Sequence, residues 1–229
     1  MTFRAALFDL DGTLIDSSAD IAWAGNTLLQ KHSFPTHPLA AYSRFIGDGV
    51  KMLVSRIVPE QARTPERIAG FIEEFRDLYA GHWNIETRVY PGIQELVTLL
   101  QRAGIRLAVL SNKPHDFAGQ CVKHYFPGET FEAVMGSGFA PPGGETFSNK
   151  PHPGAALDIA RRMNLPPAEF VYLGDTDTDM QTAVNAGMYA VGVLLGMRTR
   201  EELMLNGAQS LIREPQELWR LLQGVPAPT

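Results

Sequence analysis

With 229 residues, 45% of them hydrophobic and 20% charged, the chain has ordinary globular composition and room for one large domain or a domain carrying an insertion. A formal charge of −5 and no Lys/Arg-rich run argue against a nucleic-acid partner, and the lone Cys121 excludes an internal disulfide. Asp9 interrupts the only early apolar stretch and the longest later one, 189–197, is short and Gly-containing, so no membrane partner and a cytoplasmic location are expected.

The first predicted element is a strand over 5–8, Ala-Ala-Leu-Phe, apolar throughout and therefore expected to be buried on both faces of a parallel sheet. It ends abruptly in Asp9 and Asp11, followed by Gly12 and Thr13. Side chains alternate along an extended chain, so acids two residues apart point the same way if the path stays extended. Two such anions ~4 Å apart repel by roughly 4 kcal/mol at an effective dielectric near 20. That arrangement calls for a cation or a shared proton. The local alternative makes both acids turn and cap formers before Gly12.

From Ser17 to Glu86 the pattern is helical, with no strand candidate. Asp16, Ser17 and Ser18 are N-cap candidates for a first helix in which Ile21, Leu28 and Leu29 recur at helical spacing. Pro38 opens a short helix, 49–58 forms another, and Pro65 opens a third. In that third helix Ile68, Phe71, Ile72, Phe75, Leu78 and Tyr79 make one broad apolar stripe. From Tyr90 onward strands and helices alternate: helix 92–103, strand 105–110, helix 114–124 and a weaker strand 131–135. Helix 153–164, strand 170–173, helix 179–186 and strand 189–193 follow, and the tail repeats the alternation more weakly. The Gly/Pro-rich stretch 136–149 reads as a loop, either a connector or a wall of the site. This order predicts βαβ units, a parallel sheet, and ligands at the carboxyl ends of its strands.

Those strand ends carry polar groups of complementary kinds. Ser111 and Asn112 precede a helix N-terminus that suits a phosphate oxygen, although the pair alone is equally a cap. Lys150 stands before Pro151 and Pro153, which restrict the local backbone. A second apolar strand runs into Gly174 and Asp175, with Asp177 and Asp179 beyond; Asp177 reads as simply solvated. Asp9, Asp11, Asp175 and Asp179 in one pocket would repel a phosphorylated substrate unless a hard divalent cation inverted the field, and carboxylate ligation with retained waters suits Mg²⁺. A carboxylate nucleophile, Mg²⁺, a lysine and hydroxyl or amide donors together describe a phosphoryl-transfer site.

In this order the residues resemble the four motifs of the haloacid dehalogenase superfamily. They are Asp9-Leu10-Asp11-Gly12-Thr13, then Ser111-Asn112, then Lys150-Pro151, then Gly174-Asp175-Thr176-Asp177-Thr178-Asp179. The resemblance covers essentially the whole chain. It implies an α/β fold: a Rossmann-like three-layer core with a parallel sheet (1–15 and 87–229) plus an inserted all-helical cap domain (16–86). It further implies that Asp9 attacks phosphorus, and that Asp11 protonates the leaving oxygen and then activates water. Mg²⁺ would be held by the Asp9 carboxylate, the Asp11 backbone carbonyl and Asp175, with Asp179 orienting the ligands from behind. Ser111, Asn112 and Lys150 would hold the phosphoryl oxygens, and Thr13 would complete that phosphate-binding group while supporting Asp11.

Within the superfamily the likeness is to phosphoglycolate phosphatases and their relatives, through Arg44-Phe45-Ile46-Gly47-Asp48-Gly49, Tyr90-Pro91-Gly92 and the stretch 186–192. In such caps the Gly-x-Gly turn faces the active site, which makes Gly47, Asp48, Gly49 and Lys51 candidate substrate-side residues. The alternative is a solvated turn between helices. His152 departs from the acid that relatives more often carry after Lys-Pro. The implied activity is Mg²⁺-dependent hydrolysis of a small-molecule phosphate ester. A cap-bearing sugar phosphomutase is the alternative within catalysis, and a non-catalytic phosphate-binding protein on the same fold is the alternative outside it. The sequence specifies no oligomeric state.

Overall fold

Four consecutive apolar residues form strand β1 (Ala5–Phe8), and all four are buried. The computed structural model describes residues 3–128 and 130–224. After β1 come the two-residue strand β2 (Ile15–Asp16) and helices α1 (Ser18–Lys31), α2 (Tyr42–Phe45), α3 (Val50–Ile57) and α4 (Pro65–Ala80). The chain returns through β3 (Arg88–Val89) to α5 (Ile93–Arg102), β4 (Arg106–Pro114), α6 (His115–Tyr125) and β5 (Ala133–Ser137). It continues with α7 (Gly154–Arg162), β6 (Phe170–Gly174), α8 (Asp177–Ala186), β7 (Tyr189–Val193), α9 (Arg200–Leu205), β8 (Ser210–Ile212) and α10 (Pro215–Leu222).

Six strands make one parallel sheet in the order β5-β4-β1-β6-β7-β8, with β1 paired on both sides. Its alternating side chains build two apolar layers. Ala6 and Phe8 join Leu96 and Leu100 of α5 and Cys121 of α6 on one face. Ala5 and Leu7 join Ile159 of α7 and Met180 of α8 on the other. Leu7 and Phe8 are wholly buried, which contributes about 1.5–3 kcal/mol each relative to exposure. This is the Rossmann-like three-layer arrangement that the strand–helix alternation predicts.

Helices α1 to α4 are inserted between β1 and β4 and bury a third cluster that includes Leu28, Tyr42, Val54, Phe71 and Phe75. Its one buried member from outside the insertion is Phe117 of α6. Thr64 caps α4, its hydroxyl accepting from the Arg67 N–H at 3.4 Å, and Pro65 follows at the first helical position. In the apolar stripe of α4, Ile68, Phe71, Phe75 and Tyr79 are buried.

The elements differ from the predicted ones mainly at their ends. Strand β4 runs on to Pro114, so Ser111, Asn112 and Lys113 are strand residues, and its register with β5 shifts between Leu110 and Pro114. Helix α8 starts at Asp177 because Thr176 and Asp179 close a reciprocal capping box. Helix α7 stops at Arg162; Asn164 takes φ +50° and the Leu165 N–H returns to the Ala160 carbonyl at 3.1 Å.

Where the insertion leaves and rejoins the core, β2 and β3 form a small antiparallel ribbon. Beside it Asp20, fully buried at the start of α1, accepts from the N–H groups of Glu86 and Thr87 and from the Thr87 hydroxyl at 2.6 Å. Asp20→Ala strands these donors and should lower stability by about 1–3 kcal/mol in urea unfolding. An unchanged unfolding midpoint would refute that role.

Candidate active site

The extended path of β1 continues past Phe8, because the Asp9 N–H donates to the Leu173 carbonyl at 2.9 Å. Asp9 is therefore delivered to the carboxyl end of the sheet, 4% exposed, beside the end of β6 that carries Asp175. Gly12 turns the chain with φ +92°, and a Cβ there would fall 2.3 Å from Asp175 Oδ2. A Cβ on Gly196 would fall 2.1 Å from the same oxygen. Both glycines make room for one buried carboxylate.

Asp9, Asp175 and Asp179 each present an oxygen within 4.8 Å of the others, and all three are buried. Asp175 accepts from the Thr13 hydroxyl at 3.1 Å and the Met197 N–H at 2.8 Å. Asp179 accepts from Lys150 Nζ at 2.6 Å, the Tyr172 hydroxyl at 3.2 Å and the Thr176 N–H at 3.0 Å. Asp9 is less well served. Lys150 Nζ lies 2.8 Å from its Oδ1 as an ion pair, and among the described residues no other donor reaches this buried oxygen.

Burial, then the charge of Asp179, pushes the Asp9 carboxyl from its ordinary 3.8 up to about 7, while Lys150 pulls the other way. Burial, with Asp9 and Asp179, also holds Asp175 well above the usual carboxylate range. Burial would lower Lys150, but Asp179 and Asp9 outweigh it and keep the ammonium charged. Three buried acids facing one shared lysine carry more negative charge than it can balance, and fit a hard divalent cation with oxygen ligands.

The Asp11 side chain turns away from this cluster. Its carboxylate accepts from the Ser17 hydroxyl at 2.5 Å and from Lys113 Nζ at 3.0 and 3.2 Å. Lys113 also donates to the Tyr79 hydroxyl of α4 at 2.8 Å. Asp9, Asp11, Ser111, Asn112 and Lys113 line a cavity of about 60 Å³ roofed by the inserted helices. Two groups with different surroundings thus meet one space: Asp9 beside Asp175 and Lys150, Asp11 beside Lys113 and Ser17.

Residues 6–193 match the model of the haloacid dehalogenase-like hydrolases. The chain belongs to that family. A phosphoglycolate phosphatase of Pseudomonas putida is 32% identical to this hydrolase over 197 residues, covering 84% of this chain and 70% of that protein. One of Psychrobacter arcticus is 30% identical, with 99% of both proteins covered. A crystal structure from Lactobacillus delbrueckii subsp. bulgaricus, ascribed to the phosphoglycolate phosphatases, matches with a TM-score of 0.87 at 29% identity, covering 97% of this chain and 99% of that one. The hydrolase is therefore phosphoglycolate phosphatase-like, with a Rossmann-like core and a helical insertion. Among its described residues no helix is long and apolar enough to cross a membrane.

Several side chains expected at the phosphate have other partners. The Thr13 hydroxyl is spent on Asp175 rather than on Asp11. The Asn112 side-chain amide accepts from the Lys150 N–H at 2.9 Å and donates to the Gly47 carbonyl at 3.0 Å, so it ties Lys150 and the insertion to β4. Ser111 lines the cavity, and its hydroxyl accepts from the Lys113 N–H at 3.2 Å. Of the Gly-rich turn, Gly47 and Gly49 line the cavity; Asp48 pairs with Arg56 at 2.5 Å and Lys51 is exposed, both outside the lining. Asp177 is not merely solvated: it accepts from Arg198 at 3.2 Å, and that guanidinium reaches the Ser43 carbonyl of the insertion at 2.6 Å. His152 caps locally, its Nδ1 accepting from the Gly154 N–H at 3.1 Å.

Sequence reasoning missed Lys113 and Arg198. Lys113 carried a usable signal, since it stands two residues beyond Ser111 on a strand end and so shares its direction. Arg198 carried none.

Proposed function

We propose that this hydrolase is a Mg²⁺-dependent phosphomonoesterase for a small phosphorylated metabolite, working through an aspartyl-phosphate on Asp9. The observation that carries this reading is the shared cavity: Asp9 and Asp11 both line it, and Asp9 alone sits beside a buried acid cluster and Lys150. A carboxylate oxygen of Asp9 attacks phosphorus while the bond to the leaving oxygen breaks, and Asp11 gives that oxygen a proton. Asp11, now a carboxylate, takes a proton from the water that attacks the phosphoryl group on Asp9. Phosphate leaves and Asp9 is regenerated. Ser17 and Lys113 hold the Asp11 carboxyl in place for both transfers.

Asp9, Asp175 and the Asp11 backbone carbonyl would hold Mg²⁺, with Asp179 steadying Lys150 behind them. When bound, the ion supplies charge neutralisation for the carboxylates and for the phosphoryl oxygens. Lys150, Ser111 and the strand-end amides of β4 complete the phosphoryl pocket. The helical block 16–86 serves as a cap over a core of 1–15 and 87–229, and it excludes water from the cavity it roofs.

Inorganic phosphate should appear from a simple ester such as phenyl phosphate when Mg²⁺ is supplied, and its release should stop on chelation. Release that persists in excess chelator removes the metal from the mechanism. An isomeric product from a sugar phosphate, with no phosphate released, would make the chain a mutase instead.

A further inference from the structure

Tyr79 of α4 is a polar group of the cavity wall that the proposed mechanism leaves idle. It lines the space shared by Asp9 and Asp11 and is 3% exposed. Its ring is fixed from two sides, stacked on Phe75 at 6.0 Å and edge-on to Phe117 at 5.1 Å. The hydroxyl oxygen accepts from Lys113 Nζ at 2.8 Å. An ammonium only donates, so the phenolic proton points away from Lys113, and among the described residues no acceptor takes it. Burial raises the Tyr79 phenol above its ordinary value against the pull of Lys113, so the proton stays on the oxygen. Nearby, the inserted helices contribute Ile21, Val50, Leu53 and Phe75 to the lining, none of which can accept it. A buried donor facing a cavity with no acceptor is costly unless a ligand supplies one.

Given the phosphatase reading, on which this inference rests, we propose that the Tyr79 hydroxyl donates to an oxygen on the substrate's leaving alcohol, borne by the carbon next to the ester carbon, and that this bond selects the substrate. The substrate class is then a phosphate monoester of a 1,2-dioxygenated alcohol, whose hydroxyl, carbonyl or carboxylate oxygen is the acceptor. Lys113 sets the spacing. Its ammonium lies 3.0 Å from Asp11 Oδ1 and 2.8 Å from the Tyr79 oxygen, so an ester oxygen that meets Asp11 has its adjacent substituent within reach of Tyr79. Donation from the ammonium also polarises the O–H and strengthens it as a donor. The phenol stays neutral, so it remains an acceptor for Lys113 when Asp11 carries its proton.

2-Hydroxyethyl phosphate and propyl phosphate differ by a hydroxyl in place of a methyl on that adjacent carbon, with equal charge and nearly equal size, so they isolate the hydrogen bond. With the full chain and saturating Mg²⁺, kcat/KM for 2-hydroxyethyl phosphate should exceed that for propyl phosphate by about tenfold or more. The apolar lining works against this result, since it favours the methyl. Tyr79→Phe keeps the ring and removes only the donor, and the ratio should fall to about two or below. Both esters are assayed on one preparation, so the ratio does not depend on how much of the variant is folded. Equal turnover of the two esters by the wild type, or a ratio unmoved by Tyr79→Phe, overturns the inference. Phosphate released from phenyl phosphate but from neither aliphatic ester also overturns it and leaves the phosphatase reading standing. Failure to release phosphate from any of the three overturns the phosphatase reading and this inference together.

Discussion

Asp9→Asn is expected to lower kcat by a factor on the order of 10⁴ or more while leaving the fold intact. The amide keeps the shape of the carboxylate but has no anionic oxygen to attack phosphorus, and no other described carboxylate shares its place at both the cavity and the acid cluster. Asp11 cannot substitute, since its side chain turns away from the acid cluster toward Ser17 and Lys113. Loss of activity alone would not distinguish a dead site from an unfolded one, and stability does. In the folded protein the Asp9 carboxyl is raised from its ordinary 3.8 to about 7, so the fold favours its protonated form over its ionised form. In chelator, ionisation of Asp9 therefore costs wild-type stability progressively as pH rises from about 4 to about 7. The neutral amide has no such cost. Asp9→Asn should match the wild type near pH 4 and exceed it in unfolding midpoint at pH 7 and above. A variant that keeps more than about 1% of wild-type turnover, with folding intact, removes Asp9 as nucleophile.

The same contrast between local and distant partners decides how much was legible beforehand. An all-apolar Ala5–Phe8 ending in two acids is a local pattern, and a buried central strand with Asp9 at its end is what forms. The apolar stripe of α4 is likewise local, and its buried side covers the insertion's own core. The strand order and the three layers follow from βαβ alternation, in which each helix packs on the sheet it has just left. Side-chain partners were harder. Thr13 chooses between Asp11, two residues away, and Asp175, 162 residues away, and nothing in Asp-Gly-Thr announces that the turn at Gly12 aims it at the latter. Lys113 bonds Asp11 across 102 residues, and Arg198 joins Asp177 to a carbonyl of the insertion 155 residues away. Such pairs depend on how the insertion sits on the sheet, which no periodicity encodes. The Gly-x-Gly turn shows both sides of this: its two glycines reach the cavity, whereas Asp48 turns to Arg56 eight residues on in the same insertion.

Lys150→Met should cost about 3–5 kcal/mol of stability in chelator and reduce turnover by at least about 10²-fold in Mg²⁺. Methionine retains most of the side-chain length, so packing is largely preserved and the charge is what disappears. Lys150 is 6% exposed, with its ammonium 2.8 Å from Asp9 and 2.6 Å from Asp179, and it is the sole cationic side chain paired with the acid cluster among the described residues. Without it, Asp9, Asp175 and Asp179 face one another in a buried space with no counter-charge. They must either take up protons or destabilise the fold, and both show as a lower urea midpoint that worsens with rising pH. Adding Mg²⁺ supplies positive charge to the same carboxylates, so the variant's midpoint should rise more on Mg²⁺ addition than the wild type's. Turnover should not recover with it, because the ammonium that faces Asp9 is also proposed to hold a phosphoryl oxygen. Lys150→Arg should not restore the wild-type state either: the planar guanidinium needs more room than this buried site offers a compact ammonium. A Lys150→Met protein with an unaltered midpoint in chelator would mean that Lys150 is not the counter-charge that stabilises the acid cluster.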